Sequence, residues 1–200
     1  MSTQIPYFFG YGSLVNRDTH TYPNATRAKA SGWRRMWRHT GKRPVAFLTV
    51  VPDTSGTIEG LIAAVPDANW AALDEREWAY DRIGASKAVT HTLDHQPDVA
   101  IYAVPNDLHH TPSRKHPILL SYIDVVVQGY LTEFGKDGAE RFFQSTDGWD
   151  APIIDDRVAP MYPRHQTLTS GQRGFVDDQL EMLSARIETP EQSGLTLKRF

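Results

Sequence analysis

Apolar residues along this chain fall into short blocks whose lengths and spacings predict strands before and between helices. The first block, residues 6–11, is an aromatic run without alternation (Tyr7, Phe8, Phe9, Tyr11) and reads as a strand buried on both faces. A polar stretch to about residue 30 reads as a loop. The segment Gly32–Arg38 then interleaves Trp33, Met36 and Trp37 with Arg34, Arg35 and Arg38. Two β-branched runs, Val45–Val51 and Ile58–Val65, flank Asp53-Thr54-Ser55-Gly56, which predicts a hairpin with its turn at 53–56. Each run closes on Val-Pro-Asp, and proline suits a strand end because it has no N–H to donate.

Asp67 stands where it would cap a helix over about 68–82, with Trp70, Leu73 and Trp78 on a partly apolar face. Lys87–Leu93 and Val99–Val104 read as another pair of strands. Residues 117–131 are almost continuously apolar, with Pro117 in the first helical position. That pattern predicts a buried helix, although Val125-Val126-Val127 also suits a strand. A short helix is expected over Gly138–Gln144 and an irregular extended segment over 146–165. A last amphipathic helix follows, on which Val176, Leu180, Leu183 and Ile187 fall at helical spacing. With no regular βαβ rhythm, the order of elements predicts an α+β domain: a small mixed β-barrel or curled sheet flanked by helices. Two hundred residues suit a single domain over 1–200, with 146–200 an extension packed on the rest.

Composition narrows the chemistry. The chain has no cysteine, which excludes disulfides, thiolate zinc sites, iron–sulfur clusters and a cysteine nucleophile. A net charge of −3 gives no general argument for nucleic acid or an anionic membrane surface. No stretch reaches transmembrane length, and the N-terminus lacks a basic region followed by an apolar one, so the chain reads as cytoplasmic with neither partner. Oligomeric state has no signature in the sequence.

Two segments carry candidate chemistry. Tyr11-Gly12-Ser13-Leu14 closes the aromatic strand with a turn able to aim several backbone N–H groups at one point, a means of holding a carboxylate or oxyanion without a metal. Downstream lies Leu73-Asp74-Glu75-Arg76-Glu77. One reading of this second segment is a solvated helix laced with ion pairs among Asp74, Glu75, Arg76 and Arg82. The other places Glu77 on an inward face, because Trp70, Leu73 and Glu77 are spaced i, i+3, i+7 and an inward carboxylate is costly without a partner or a task.

Those two motifs at that separation, with a third at Pro117-Ile118-Leu119-Leu120-Ser121-Tyr122-Ile123 ending in Gly129, resemble the γ-glutamylcyclotransferase-like family over roughly residues 6–130. The resemblance implies a small β-barrel flanked by helices. It implies that the turn of Tyr11, Gly12, Ser13 and Leu14 cradles a γ-glutamyl group, that Glu77 is the catalytic acid/base, and that Tyr122 belongs to the pocket. The implied reaction releases 5-oxoproline from a γ-glutamyl-amino acid, peptide or amine when the substrate's own α-amine attacks its γ-carbonyl. No cofactor and no metal are then needed. An α-amine near pKa 7.8 and a free glutamate near 4.3 differ by roughly 3.5 units, about 4.8 kcal/mol, so Glu77 must be raised, and burial beside Trp70 or Trp78 is one means. Two alternatives stay open: a cyclotransferase for a specialised γ-glutamyl conjugate, and a non-catalytic module that binds a small acidic ligand. In the second, Arg76 or Arg82 would pair with Glu77 and stop it moving protons. Trp78 departs from the family, which commonly has a small or flexible residue there.

Other motifs read blandly. Ser13 lacks the surroundings of a nucleophile elbow and reads as a turn or binding residue, and Val15 stands where a dinucleotide fingerprint needs its third glycine. Arg34, Arg35, Arg38, Lys42 and Arg43, with Trp33 and Trp37, read as a solvated basic loop, one of whose arginines is a candidate to steer an anionic substrate. His91, His95, His109, His110 and His116 read as surface residues and not as metal ligands. The tail from Trp149 to Arg164 is expected to wrap the barrel. Alternatively it covers the pocket, with Arg157 or Arg164 meeting a carboxylate.

Overall fold

The structure, a computed structural model, describes residues 4–193. β1 (Tyr7–Gly10) is buried along its whole length, and two 3-10 turns follow it at Ser13–Val15 and Arg17–Thr19. Next come β2 (Thr26–Arg38), β3 (Phe47–Ala64), α1 (Ala71–Arg76), β4 (Asp81–Gly84), β5 (Val89–His91) and β6 (Val99–Ala103). The second half holds β7 (Ile118–Leu119), α2 (Leu120–Gln144), β8 (Thr146–Asp147), β9 (Ile153–Ile154), α3 (Ser170–Met182) and β10 (Ile187–Glu188).

The main sheet runs β4-β6-β1-β3-β2-β5, with β8 on the edge of β2. β1 lies antiparallel to β3 (Phe8 opposite Ala63) and parallel to β6 (Phe8 opposite Ala100). The sheet curls until the Val104 N–H donates to Thr49 Oγ1 at 2.9 Å, bringing the chain after β6 against the start of β3. Ile118 and Ile187 flank Ile153 in a second, all-parallel sheet of β10, β9 and β7. This is the expected α+β architecture with a curled sheet. α2 brings Ile123, Val126, Val127 and Tyr130 into the same core as Phe9, Leu48 and Ile62. Among the described residues no helix is long and apolar enough to cross a membrane.

Several expectations need correction. Residues 53–56 do not turn a hairpin. The two β-branched runs are halves of one strand, β3, which pairs along its length with β2. Ser31 faces Thr57 and Trp33 faces Pro52, so residues 53–56 bulge out opposite Gly32 (φ +81°). Asp53 steadies the bulge by accepting from the Ser55 N–H and hydroxyl at 3.0 and 2.8 Å. The stretch before residue 30 is not all loop. Ala28 and Ala30 point inward between exposed Arg27, Lys29 and Ser31, a period-two strand whose inward residues are small.

Arg34, Arg35 and Arg38 of the basic segment are likewise strand, while Lys42 and Arg43 lie in the loop after β2 as expected. Arg35 is fully buried and donates to Thr146 Oγ1, the Glu59 carbonyl, Tyr130 and Ser145, while Trp37 sits in the core. The helix expected over 68–82 shrinks to α1. Asp67 does not cap it; Asp67 and Ala68 take positive φ (54° and 51°), and the N-cap is Trp70. The strands at 87–93 and 99–104 exist but do not pair with each other, since β5 joins β2 and β6 joins β1. α2 breaks at Gly135 (φ +68°), which divides it into the two helices expected at 117–131 and 138–144. Pro117 precedes β7 instead of opening the helix. On α3, Val176 and Leu180 are buried, but Leu183 is the C-cap and Ile187 lies in β10, both exposed.

Candidate active site

The turn after β1 is held from three sides. The Tyr11 hydroxyl donates to the Tyr102 carbonyl at 2.6 Å, and the Tyr11 carbonyl accepts from Tyr130 at 2.9 Å. Asn16 Nδ2 donates to the Val125 carbonyl (3.0 Å) and to Gln128 Oε1 (2.8 Å), fastening the turn to α2. A Cβ on Gly12 would stand 2.8 Å from the Tyr122 hydroxyl, so only glycine lets the two approach this closely. Hydrogen bonding within the turn begins with the Val15 N–H donating to the Gly12 carbonyl at 2.9 Å. The Ser13 and Leu14 N–H groups therefore have no acceptor inside the turn, and the Ser13 N–H is directed at the Tyr122 hydroxyl.

Glu77 is the C-cap of α1, one residue past its end (φ −98°, ψ 28°). The Glu77 N–H donates to the Leu73 carbonyl at 2.9 Å, the last helical bond, which keeps Glu77 on the face of buried Leu73; the chain turns after it, where the Tyr80 N–H donates to the Glu77 carbonyl at 2.8 Å. Its side chain is 16% exposed. Burial pushes the Glu77 carboxyl above its usual range, against the opposing pull of Arg76, Arg43 and Arg164. Arg76 Nε lies 3.2 Å from Glu77 Oε1. The same guanidinium donates to the Thr19 carbonyl (2.9 Å), Thr19 Oγ1 (3.2 Å) and Ser13 Oγ (3.3 Å), so one side chain joins the carboxylate to the turn. Arg82 points elsewhere, to Asp74 at 3.0 Å. Of the two cations considered as partners of Glu77, Arg76 takes the place, and the carboxyl is raised nonetheless.

A cavity of about 470 Å³ opens here, lined among others by Ser13, Arg43, Glu77, Tyr80, Tyr122 and Arg164. A recess of about 30 Å³ shares Ser13, Glu77, Tyr80 and Tyr122 with it and adds Tyr11, Gly12 and Leu14. All six residues singled out in the sequence thus line one recess, although Tyr11, Glu77 and Tyr122 come from three distant parts of the chain. Tyr122 is pushed strongly upward by burial and packs edge-on against Tyr162 (4.9 Å) and Trp37 (5.8 Å).

The family model for gamma-glutamyl cyclotransferase, AIG2-like, matches residues 8–122, a span that begins in β1 and ends on Tyr122. The chain belongs to this family. Solved structures of similar shape include a gamma-glutamyl cyclotransferase, 13% identical over 86% of this chain and 98% of that one (TM-score 0.56). The human protein loc79017 is 12% identical over 88% and 99% (TM-score 0.57). YkqA from Bacillus subtilis is 20% identical over 70% of this chain and 53% of its own (TM-score 0.54), so this chain spans about half of that protein. At such identities the likeness speaks to the fold alone. No curated protein matches the chain.

The site also holds Tyr80, which the sequence did not single out, and Arg164, one of the two tail arginines named as candidates to meet a carboxylate there. Tyr80, three residues after Glu77, donates to the Leu48 carbonyl at 2.7 Å, and burial pushes its hydroxyl strongly upward. It lies in a segment that reads as charged helix, and only the reversal at Glu77 brings it inward. Arg164 reaches the cavity from the tail, whereas Arg157 does not. Arg157 pairs with Asp124 at 2.7 Å and Asp177 at 2.6 Å on the far side of α2's first turns. Trp78 is half exposed at the rim, cradling Arg43 at 5.1 Å. Of the histidines, His110 and His116 gather around His39, which is buried and stacked on His116 at 3.4 Å between ring centroids. Among the described residues no group of three or more histidine or acidic side chains has a metal-binding arrangement.

Proposed function

We propose that this protein is a γ-glutamyl cyclotransferase that releases 5-oxoproline from a γ-glutamyl conjugate, with Glu77 as general acid/base. The observation that carries the reading is the buried, upward-shifted carboxyl of Glu77 in one recess with the backbone turn at Gly12–Leu14. The α-amine of the substrate attacks its own γ-carbonyl, forming the ring C–N bond. Glu77 takes the proton from that amine, and the bond to the leaving amine breaks as Glu77 returns the proton to it. An upward shift brings the carboxyl nearer the amine's own range, which is what makes the transfer accessible. The Leu14 N–H, together with the Tyr122 hydroxyl that the Ser13 N–H supports, supplies donors for the substrate's carboxylate or developing oxyanion. The pocket serves chiefly to fold the substrate on itself, because an intramolecular nucleophile needs position more than activation.

The test is 5-oxoproline release from glutathione, γ-glutamyl-amino acids and γ-glutamyl-ε-lysine, with wild type beside Glu77→Gln. Glu77→Gln should bind substrate but lose turnover by roughly 10²–10⁴-fold, the usual span for a positioned acid/base. Full turnover in that variant refutes the assignment. The Arg76–Glu77 contact favours a second reading, a module that binds a small acidic ligand without turnover. Tight binding by a folded wild type that converts nothing would select it.

A further inference from the structure

The cavity is lined by four cations, Lys42, Arg43, Arg76 and Arg164, and two carboxylates, Glu75 and Glu77. Arg76 and Glu77 neutralise each other. Three cations against Glu75 leave two net positive charges, in a chain whose own net charge is −3. Elsewhere Arg17, Arg34, Arg82, Arg114, Arg141 and Arg157 each face a carboxylate within 4 Å. Among the described residues Lys42, Arg43 and Arg164 have no such partner; neither do Arg35, Arg38, Lys87, Lys115 and Arg173, but Lys42, Arg43 and Arg164 share one cavity. Arg43 is nevertheless held in place: its guanidinium sits 5.1 Å from both the Phe47 and Trp78 rings and donates to the Arg76 carbonyl at 3.4 Å. Three cations gathered around a partly enclosed space, one of them held in place and none with a carboxylate within 4 Å, suit an anionic ligand.

The turn at Ser13 and Leu14 already answers for one carboxylate of a γ-glutamyl group, so these cations face what is attached to it. Resting on the cyclotransferase reading, we propose that the cavity mouth binds a doubly anionic leaving amine. The substrate class is then γ-glutamyl conjugates of acidic amino acids, with Lys42, Arg43 and Arg164 as specificity determinants. A carboxylate on the leaving half's side chain gains charge-assisted hydrogen bonds there that a carboxamide of the same shape does not.

The isosteric pair γ-glutamyl-glutamate and γ-glutamyl-glutamine isolates that one charge. Wild type should favour the glutamate conjugate by roughly tenfold in kcat/KM. The ratio should fall toward one in Lys42→Gln/Arg164→Gln, which alters two exposed side chains, and should shrink with added salt. A wild-type ratio of one, or a ratio unmoved in the double variant, overturns the proposal. Calorimetric binding of both dipeptides separates it from the reading beneath it. If neither yields 5-oxoproline but the acidic dipeptide binds tighter by a similar factor, the cyclotransferase reading falls and the acidic-ligand site stands. Equal binding removes the site.

Discussion

Gly129→Ala tests whether the turn after β1 is set by its seat on α2. A Cβ at this buried helical position would lie 2.7 Å from the Asn16 backbone nitrogen, 2.9 Å from its Cα and 3.0 Å from its Cβ. None of these atoms can swing away; relief requires the turn or the helix to move. Overpacking of this kind costs roughly 1–3 kcal/mol, while replacing a mid-helix glycine by alanine returns about 0.5–1 kcal/mol. The net expectation is a loss of up to about 2.5 kcal/mol, which for a chain of this size lowers Tm by up to roughly 10 °C. Gly174→Ala on α3 is the control. There a Cβ meets nothing within 4 Å, so the helical gain of about 0.5–1 kcal/mol should appear undiminished. Denaturant titration of both variants gives the stabilities, with an unchanged m-value as the condition for comparing them. Turnover should also fall in Gly129→Ala, because Asn16 is two residues from Leu14 and a displacement near 1 Å at a reacting centre can cost about 10²-fold. If Gly129→Ala is as stabilised as Gly174→Ala and turns over at the wild-type rate, the turn is not seated as described.

Two further outcomes follow from charge. The pKa values of His39 and His116 are lowered, chiefly by burial and then by neighbouring positive charge. Unfolding therefore lets each take up protons that the folded state refuses. Stability from this source is complete above about pH 6.5 and declines as pH falls through the unfolded value toward the folded one. Thermal scans between pH 8 and 5 should show that decline, and His39→Asn should flatten it; an unchanged slope would contradict the assignment. Arg157→Leu should destabilise the fold by roughly 3–5 kcal/mol by stranding Asp124, which is 5% exposed on α2, and adding Asp124→Asn should recover much of the loss in urea titrations. Purely additive effects of the two changes would show that the pair is not coupled.

What could be read from the chain was local. The aromatic strand into Tyr11–Leu14, and an apolar helix carrying Tyr122, each declare themselves within a few residues, and so the parts of the recess were legible before their assembly. What was missed depends on partners far away in sequence. Asp53–Gly56 has the composition of a hairpin turn, but Phe47–Val51 and Ile58–Ala64 find β2 on the same edge, and the four residues become a bulge. Ala28 and Ala30 alternate correctly yet are too small to signal a strand, and Arg35 is buried only because Tyr130, Thr146 and Ser145 arrive to accept its hydrogen bonds. Helical spacing put Glu77 inward beside Leu73, and the last helical bond of α1 places it there. The expected helix runs on to about residue 82, but the chain leaves it after Glu77 to pair β4 with β6. Arg157 and Arg164 stood as equal candidates from the tail, and nothing local to either shows that only Arg164 reaches the cavity.

Arg76 has a consequence for the order of events at this site. Its guanidinium holds the Thr19 carbonyl and Ser13 while touching Glu77, so the ionisation of Glu77 and the positioning of the turn share one side chain. Whatever changes the charge on Glu77 alters how firmly Arg76 is drawn toward it, and hence the turn. By reciprocity, a ligand that fixes the turn shifts the proton affinity of Glu77 by the same free energy. Substrate binding and proton uptake are then not separate preliminaries to reaction but one linked equilibrium, and protons should be taken up or released as ligand binds, even in the absence of turnover.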